Sequence, residues 1–184
     1  MIQRVLILCV LSLSSAMALA QAAPSATGNS APLVVGGYFS YFDAGYAGNR
    51  VMGPGAYVDW SPAIAGNLGV EAEGRWLKFG ADHDFSEYNY LAGLRYRMRA
   101  ASRFQPYAKF LVGAGELNFP FQLAHGSYFA LAPGGGVDFV VRPRWSVRAD
   151  YEYQIWLNSP GIPGVQTSTV KPNGVSAGLS YRIF

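Results

Sequence analysis

The chain has 184 residues, of which 51% are hydrophobic, 15% aromatic and only 14% charged. This composition excludes a disordered chain, and the length allows one domain with a sizeable core. The net charge of +3 arises from bases scattered among acids, which argues against a nucleic-acid partner. Beyond the N-terminus no apolar run approaches the roughly 18 residues of a membrane helix, so membrane insertion would require a closed barrel.

The first 20 residues predict a secretory signal peptide. Arg4 gives a positive start, residues 5–13 are almost wholly apolar, and Ala18-Leu19-Ala20 forms a small-x-small cleavage site. Cys9 is the single cysteine and lies inside this segment, so we expect no disulfide in the exported chain. The sequence therefore predicts a signal peptide at 1–20, a flexible leader at 21–32 and one folded domain at 33–184.

From Leu33 onward, apolar and polar residues alternate in segments separated by turn residues, which predicts β-strands with two different faces. The seventh segment is the clearest, because every second residue from Trp145 to Ile155 is apolar and the residues between them are polar. In the first segment both faces are apolar, so its phase is ambiguous. Eight segments follow one another, at about Leu33–Phe42, Val51–Trp60, Leu68–Phe79, Glu87–Arg97, Phe104–Val112, Phe129–Phe139, Trp145–Ile155 and Val175–Phe184.

The connections between these segments alternate in length. Short connections follow the second, fourth and sixth segments, at 61–67, 99–103 and 142–144, and the others are generally longer, up to 157–172. Short periplasmic turns and longer outer loops are typical of outer-membrane barrels. The sequence therefore predicts an all-β fold, an eight-stranded antiparallel transmembrane up-and-down β-barrel.

The two faces of the predicted barrel differ in charge. Charged residues on one face would share the lumen, where burial requires that acids and bases neutralise one another. Aromatic residues near the strand ends of the other face would form girdles at the headgroup level of a bilayer. A soluble lipocalin-like barrel would show the same alternation turned inside out, so periodicity leaves that alternative open. The predicted lumenal acids are Glu71, Glu73, Glu87, Asp138, Asp150 and Glu152, the bases are Arg75, Arg95, Arg97, Lys109, Arg148 and Arg182, and the girdle residues are Tyr41, Trp60, Trp76, Tyr88, Phe104, Trp145, Tyr153 and Tyr181.

Several stretches share their order and spacing with a known family: residues 90–96, 104–114, 134–138 and 147–153, and the closing strand with Gly178, Tyr181 and Arg182. From Tyr88 to Phe184 the chain resembles the outer-membrane β-barrel domain family of Gram-negative bacteria, which is related in architecture to OmpA- and OmpX-type barrels. The first half matches more loosely, through residues 36–41. The resemblance implies an outer-membrane location, contact with outer-membrane lipid and lipopolysaccharide, and recognition of the closing strand by the barrel-assembly machinery. We also expect a monomer.

One arrangement suggests catalysis. His125 and Ser127, with Asp138 eleven residues after the serine, resemble the His, Ser and acidic residues of outer-membrane lipid A deacylases. Tyr128, however, stands where that family has Asn, and Asp138 points into the lumen on the predicted phase. A nucleophile, its base and the group that orients the base must converge, and we predict that these residues instead belong to a loop and do not form a site.

Two further motifs have simple explanations. Asp82-His83-Asp84 could bind a divalent cation in an outer loop, but its spacing is not that of a metal site. Gly134-Gly135-Gly136 lacks the Lys and the helix of a phosphate loop, and it is expected to ease strand curvature or to make room for a large lumenal neighbour such as Tyr107. We therefore expect no catalytic residue, no cofactor and no metal.

These observations favour a non-enzymatic outer-membrane protein with a structural or surface-interaction role. Three alternatives stay open at this point: a small, weak porin-like channel, a lipid A-modifying barrel enzyme, and a soluble lipocalin-like carrier.

Overall fold

The computed structural model describes residues 32–45, 50–79, 86–98, 103–118, 125–157 and 169–184. The signal peptide and nearly all of the leader lie outside the described residues and stay predictions. No helix among the described residues is long and apolar enough to cross a membrane. The elements are β1 (Leu33–Asp43), β2 (Arg50–Trp60), a short 3-10 turn (Ala63–Ala65), β3 (Leu68–Phe79), β4 (Ser86–Arg97), β5 (Phe104–Asn118), β6 (His125–Arg142), β7 (Trp145–Tyr153), β8 (Ile155–Leu157) and β9 (Asn173–Arg182).

The strands form one closed antiparallel barrel. Each strand from β1 to β6 pairs with the next along the chain, β6 pairs with both β7 and β8, β7 pairs with β9, and β9 returns to pair with β1. The short strand β8 continues the direction of β7 after an interruption at Gln154, so β7 and β8 together make one strand of the barrel wall. The predicted eight-stranded barrel is therefore confirmed.

The faces of the strands also follow the prediction. In β2, residues alternate strictly between buried and exposed, with Tyr57 and Asp59 inside and Val58 and Trp60 outside. The first strand, whose phase the sequence left ambiguous, shows the same alternation, because Tyr38 is buried and Phe39 is exposed. Charged side chains point inward and large apolar side chains outward, which is the reverse of a lipocalin. The soluble-carrier alternative is thus wrong for this fold.

The barrel has two different ends. We call "turn end" the end with the connections at 61–67, 98–103 and 143–144, and "loop end" the end with the connections at 44–49, 80–85, 119–124 and 158–172. Leu33 and Arg182 lie at the turn end, where β1 and β9 pair. Because short turns face the periplasm in outer-membrane barrels, we assign the turn end to the periplasmic side.

Some predicted strand boundaries were wrong. The β5–β6 hairpin is longer than the alternation suggested, since β5 continues to Asn118 and β6 already begins at His125. The segment around His125 is therefore strand and not loop. Ladder hydrogen bonds extend the hairpin through the Gly-rich stretch 113–115, where the sequence shows no clear alternation. As a result, the difference in length between loops and turns is smaller than predicted and is largest for the last connection.

Candidate functional site

The lumen near the turn end is filled by ion pairs centred on Arg148. Its guanidinium donates to Asp138 Oδ1 at 2.9 Å through Nε and to Glu71 Oε2 at 2.9 Å through Nη1. The same group lies over the ring of Tyr57, 3.7 Å from the ring centroid. Arg148, which β7 directs into the lumen, thus connects β3 and β6 across the barrel.

A second arginine extends this network toward the turn end. Arg95 donates to both Asp59 and Asp138, and its guanidinium lies 3.8 Å from the centroid of the Tyr107 ring. Arg97 Nη2 adds a contact of 3.1 Å to Asp59 Oδ2. Asp59 was missed by the sequence analysis, although its place between the outward-facing Val58 and Trp60 was a sufficient signal for a lumenal position.

Lys109 is the central cation of the network. Its Nζ lies 3.4 Å from Glu71, 3.0 Å from Glu73, 3.1 Å from Asp150 and 2.9 Å from Glu152, in each case measured to a carboxylate oxygen. These acids lie on β3 and β7, whereas Lys109 lies on β5, so one side chain joins three strands of the wall.

Arg75 completes the network on the side of the loop end. It forms a bidentate pair with Glu152, at 2.5 and 3.0 Å, and Nη2 also lies 2.9 Å from Glu73 Oε1. Planar guanidinium and carboxylate groups match in this geometry, which makes it one of the stronger types of ion pair. Since Glu152 and Glu73 also contact Lys109, the pairs form one continuous cluster.

The composition of the network differs from the prediction in three residues, because Asp59 is added and Glu87 and Arg182 do not take part. Glu87 is buried, but it accepts a hydrogen bond from Asn89 Nδ2 at 2.9 Å and belongs to no ion pair among the described residues. Arg182 is half-buried and lines a small cavity at the turn end. The network therefore consists of five bases and six acids: Arg75, Arg95, Arg97, Lys109 and Arg148 with Asp59, Glu71, Glu73, Asp138, Asp150 and Glu152.

The glycine run in β6 makes room for this packing. Tyr107 on β5 stands opposite Gly136, and its hydroxyl donates to Asp150 Oδ2 at 2.5 Å. A β-carbon on Gly136 would lie 2.8 Å from that hydroxyl, which is too close for a real contact. Gly136 thus admits Tyr107 as predicted, and it also packs against the backbone of β7, because the same β-carbon would lie even closer to the carbonyl oxygen of Ala149.

Toward the loop end the lumen becomes apolar. Trp156 on β8 is fully buried, stacks on Tyr128 with ring centroids 6.1 Å apart, and donates from Nε1 to Gln154 Oε1 at 2.7 Å. Two clusters of buried apolar residues occupy this half. The first contains Leu91, Leu111, Ala130, Ala132 and Trp156, and the second contains Phe42, Ala44, Val51 and Leu77.

The described lumen thus has no open path. Ion pairs fill its centre and turn-end half, and the loop-end half holds the two apolar clusters together with the buried Glu87, Asn89 and Gln154. At the turn end a cavity of about 20 Å³ is lined by Arg97, Arg144 and Arg182 among others. A volume of this size holds about one water molecule. The arrangement can hold the strands together, and the cavity at its turn end is too small for an organic ligand.

The outer surface is apolar and carries aromatic residues near both ends. All predicted girdle residues lie on this face, and Trp60, Trp76 and Trp145 are well exposed. Trp76 Nε1 donates to the hydroxyl of Tyr90 at 3.2 Å. A soluble protein would not expose such a surface, whereas a bilayer covers it.

Comparison with protein families agrees with this geometry. Residues 6–182 match the family described as "Outer membrane protein beta-barrel domain". The chain belongs to this family. Its lumen and its apolar outer face are therefore those of an outer-membrane β-barrel. No curated protein matches the sequence significantly.

Solved structures of outer-membrane barrels resemble this fold. Neisserial surface protein A (NspA) has a TM-score of 0.66 and 17% identity, and the match covers 84% of this chain and 99% of that chain. Ail, the attachment invasion locus protein of Yersinia pestis, in complex with the heparin analogue sucrose octasulfate, has a TM-score of 0.55 and 21% identity, covering 83% and 97%. OprG from Pseudomonas aeruginosa has a TM-score of 0.56 and 13% identity, covering 84% and 97%. At these identities the similarity shows the fold alone.

The catalytic candidates are not brought together in this outer-membrane barrel. Asp138 is buried in the lumen with Arg95 and Arg148. Ser127 is exposed, and its hydroxyl lies 3.4 Å from Glu116 Oε1 on the neighbouring strand. Eleven residues of extended strand separate Ser127 from Asp138, roughly 36 Å at the usual rise per residue. These two residues therefore cannot act on the same reacting atom.

The other candidate motif cannot be placed. Asp82-His83-Asp84 lies outside the described residues. Among the residues that the structure describes, no group of three or more His, Cys, Asp or Glu side chains could hold a metal ion.

Proposed function

We propose that this protein is a non-enzymatic outer-membrane β-barrel with a structural or surface-interaction role, and that its loop end is the part that meets the environment. The observation that carries the proposal is the filled lumen. A continuous set of buried ion pairs, from Asp59 to Arg75, is followed by packed apolar side chains around Trp156. Such a filled lumen supports a role at the two ends of the barrel rather than inside it.

The filled lumen argues against the porin-like alternative. Purified barrel inserted into planar bilayers is expected to show no stepwise, solute-permeable conductance, because a small solute would have to displace several paired charges. A general porin inserted in the same way serves as the positive control for the membrane. Reproducible conductance steps from folded, heat-modifiable protein would contradict the closed lumen.

The role of the loop end can be tested by shortening its connections. In the variant, residues 46–49, 80–85, 119–124 and 158–168 are each replaced by a two-residue Asn-Gly turn, which suits a β-hairpin. The matched control replaces the turn-end connection at 63–66 in the same way. Both variants are first checked for outer-membrane recovery and for a heat-dependent shift in gel migration, so that a folding failure is recognised.

The readouts separate the two forms of the proposal. Intact cells are tested for binding to immobilised heparin, chosen because Ail was solved with a heparin analogue, and for resistance to detergent. We expect loop shortening to abolish binding if the role is surface interaction, or to lower resistance if the role is structural, while the control keeps both. If cells with shortened loops equal cells with the full protein in both assays, the proposal is wrong.

A further inference from the structure

The exposed charges of this barrel are distributed unevenly between its two ends. At the turn end, four exposed or half-buried arginines are either the last residue of a strand or directly precede the first residue of one. We call these the arginine collar: Arg103, Arg142, Arg144 and Arg182.

No acid balances the collar within the described part of the chain. The acidic residues nearest to this end are Asp59 and Asp138, and both are buried in ion pairs with Arg95, Arg97 and Arg148. The loop end, in contrast, mixes both signs, with Asp43 and Glu116 beside Arg50 and Lys78. The collar is therefore an excess of exposed positive charge at one end.

The collar also has a fixed relation to the aromatic girdle. Arg103 precedes Phe104 and Arg144 precedes Trp145, so each of these arginines lies one residue farther out than an outward-facing ring. Arg182 follows the outward-facing Tyr181 but has lumenal phase and lines the cavity at the mouth. Trp145 and Tyr181 pack edge to face with centroids 5.0 Å apart.

One collar arginine is held directly at this level. Arg144 Nη1 donates to the hydroxyl of Tyr181 at 3.3 Å. Since girdle rings sit at the headgroup boundary of a bilayer, a group one residue farther out lies at the level of the lipid phosphates.

We propose that the arginine collar binds the phosphates of anionic phospholipids in the membrane leaflet at the turn end. One guanidinium group can donate to two phosphate oxygens at once. A basic residue near an anionic lipid surface contributes about 1 kcal/mol to binding, which equals roughly a five-fold preference for the anionic lipid. Lipid, and not a soluble anion, is the occupant because Arg103, Arg142 and Arg144 are exposed beside the girdle, on the β5–β7 side of the barrel. The cavity inside the mouth, of about 20 Å³, is too small for a headgroup. This inference does not depend on the role of the loop end.

The test measures lipid preference in a bilayer. The folded barrel is reconstituted into vesicles that contain brominated phosphatidylglycerol or brominated phosphatidylcholine, and quenching of tryptophan fluorescence gives the relative binding of the two lipids. Two of the lipid-facing tryptophans, Trp60 and Trp145, lie at the turn end, and Trp76 lies near the loop end. We expect the wild-type barrel to prefer phosphatidylglycerol at least about five-fold, and 1 M salt to weaken that preference.

Variants test whether the collar arginines cause the lipid preference. The collar variant carries Arg103→Gln, Arg142→Gln, Arg144→Gln and Arg182→Gln and should lose the preference. If this variant does not fold, a smaller variant with only Arg142→Gln and Arg144→Gln takes its place and should lose part of the preference. The control carries Arg50→Gln, Lys78→Gln and Lys171→Gln at the loop end and should keep the preference.

Three results would overturn the inference. They are equal quenching of the wild-type barrel by both lipids, an unchanged preference in the folded collar variants, and displacement of the preference by soluble glycerol phosphate. The last result would assign the collar to a soluble anion. Binding of the wild-type barrel to isolated peptidoglycan in the absence of any lipid preference would assign it to the cell wall instead.

Discussion

Replacing Lys109 with methionine is expected to lower the free energy of unfolding of the barrel by about 3–5 kcal/mol, the usual cost of removing one partner from a buried ion pair. Lys109 is buried and lies within 3.4 Å of four carboxylates. The lumenal network already holds more acids than bases, and the substitution leaves its six acids with only four bases. The carboxylates then lose their common cation and repel one another in a space that excludes water. Urea titration of the refolded barrel in lipid vesicles, followed by tryptophan fluorescence, measures the loss.

Lys78→Met is the matched control for this experiment. Lys78 lies on the exposed face of β3 and takes part in no ion pair in the described ranges, so its replacement should change stability far less. The double variant Lys109→Met with Glu73→Gln should recover part of the loss, because it removes one of the repelling carboxylates, and a double-mutant cycle gives the coupling between the two residues. If Lys109→Met were no more destabilising than Lys78→Met, the network would not stabilise the lumen.

The faces of the strands were predictable because side chains of a strand alternate strictly. In β7, the sequence alone assigns Arg148 and Asp150 to the lumen and Trp145 to the outside, as observed. The pairing of charges across the lumen was not predictable in the same way. It depends on how far each strand is displaced along its neighbour, and alternation within a strand contains no information on that displacement. Phase could therefore assign Asp59 to the lumen, but its pairing with Arg95 could not be predicted.

The two residues that were predicted to share the lumenal charge network but do not join it illustrate the same limit. Glu87 and Arg182 both have lumenal phase, but Glu87 lies near the loop end beside Asn89, and Arg182 lies at the opposite mouth. The phase of a residue shows on which face of the strand it lies, but not its position along the barrel axis. The apolar half of the lumen could have been recognised, however, because Leu91, Leu111 and Trp156 share the phase of the charged residues on their own strands.

The boundaries of the long hairpin required the fold itself. The stretch 113–115 reads Gly-Ala-Gly and shows no contrast between faces, so the sequence suggested that β5 ended earlier. Gly115 is buried against Trp156, whose indole occupies the space that a side chain would need. A residue that belongs to a strand because of a neighbour far along the chain cannot be recognised from local periodicity.

Replacing Trp156 with alanine is the second change with a large expected effect, a loss of about 3–5 kcal/mol in the free energy of unfolding, as for other buried Trp-to-Ala changes. Trp156 is fully buried and belongs to one apolar cluster with Leu91, Leu111, Ala130 and Ala132, and Gln154 would lose the N–H group that donates to it. The small residues around the indole cannot fill the space that it leaves. The same urea titration in vesicles measures the effect.

The conductance of the Trp156→Ala variant shows whether the ion pairs or the apolar cluster around Trp156 close the lumen. Trp156→Ala is expected to be as non-conducting as the wild type, because the ion pairs around Lys109 and Arg148 still fill the lumen below the new cavity. Trp145→Ala is the control: this tryptophan faces lipid, so its loss leaves no cavity in the lumen and should cost less stability. Stepwise conductance in Trp156→Ala would mean that the apolar cluster, and not the ion pairs, closes the barrel. Equal losses in the two variants would mean that the apolar cluster does not contribute as a packed core.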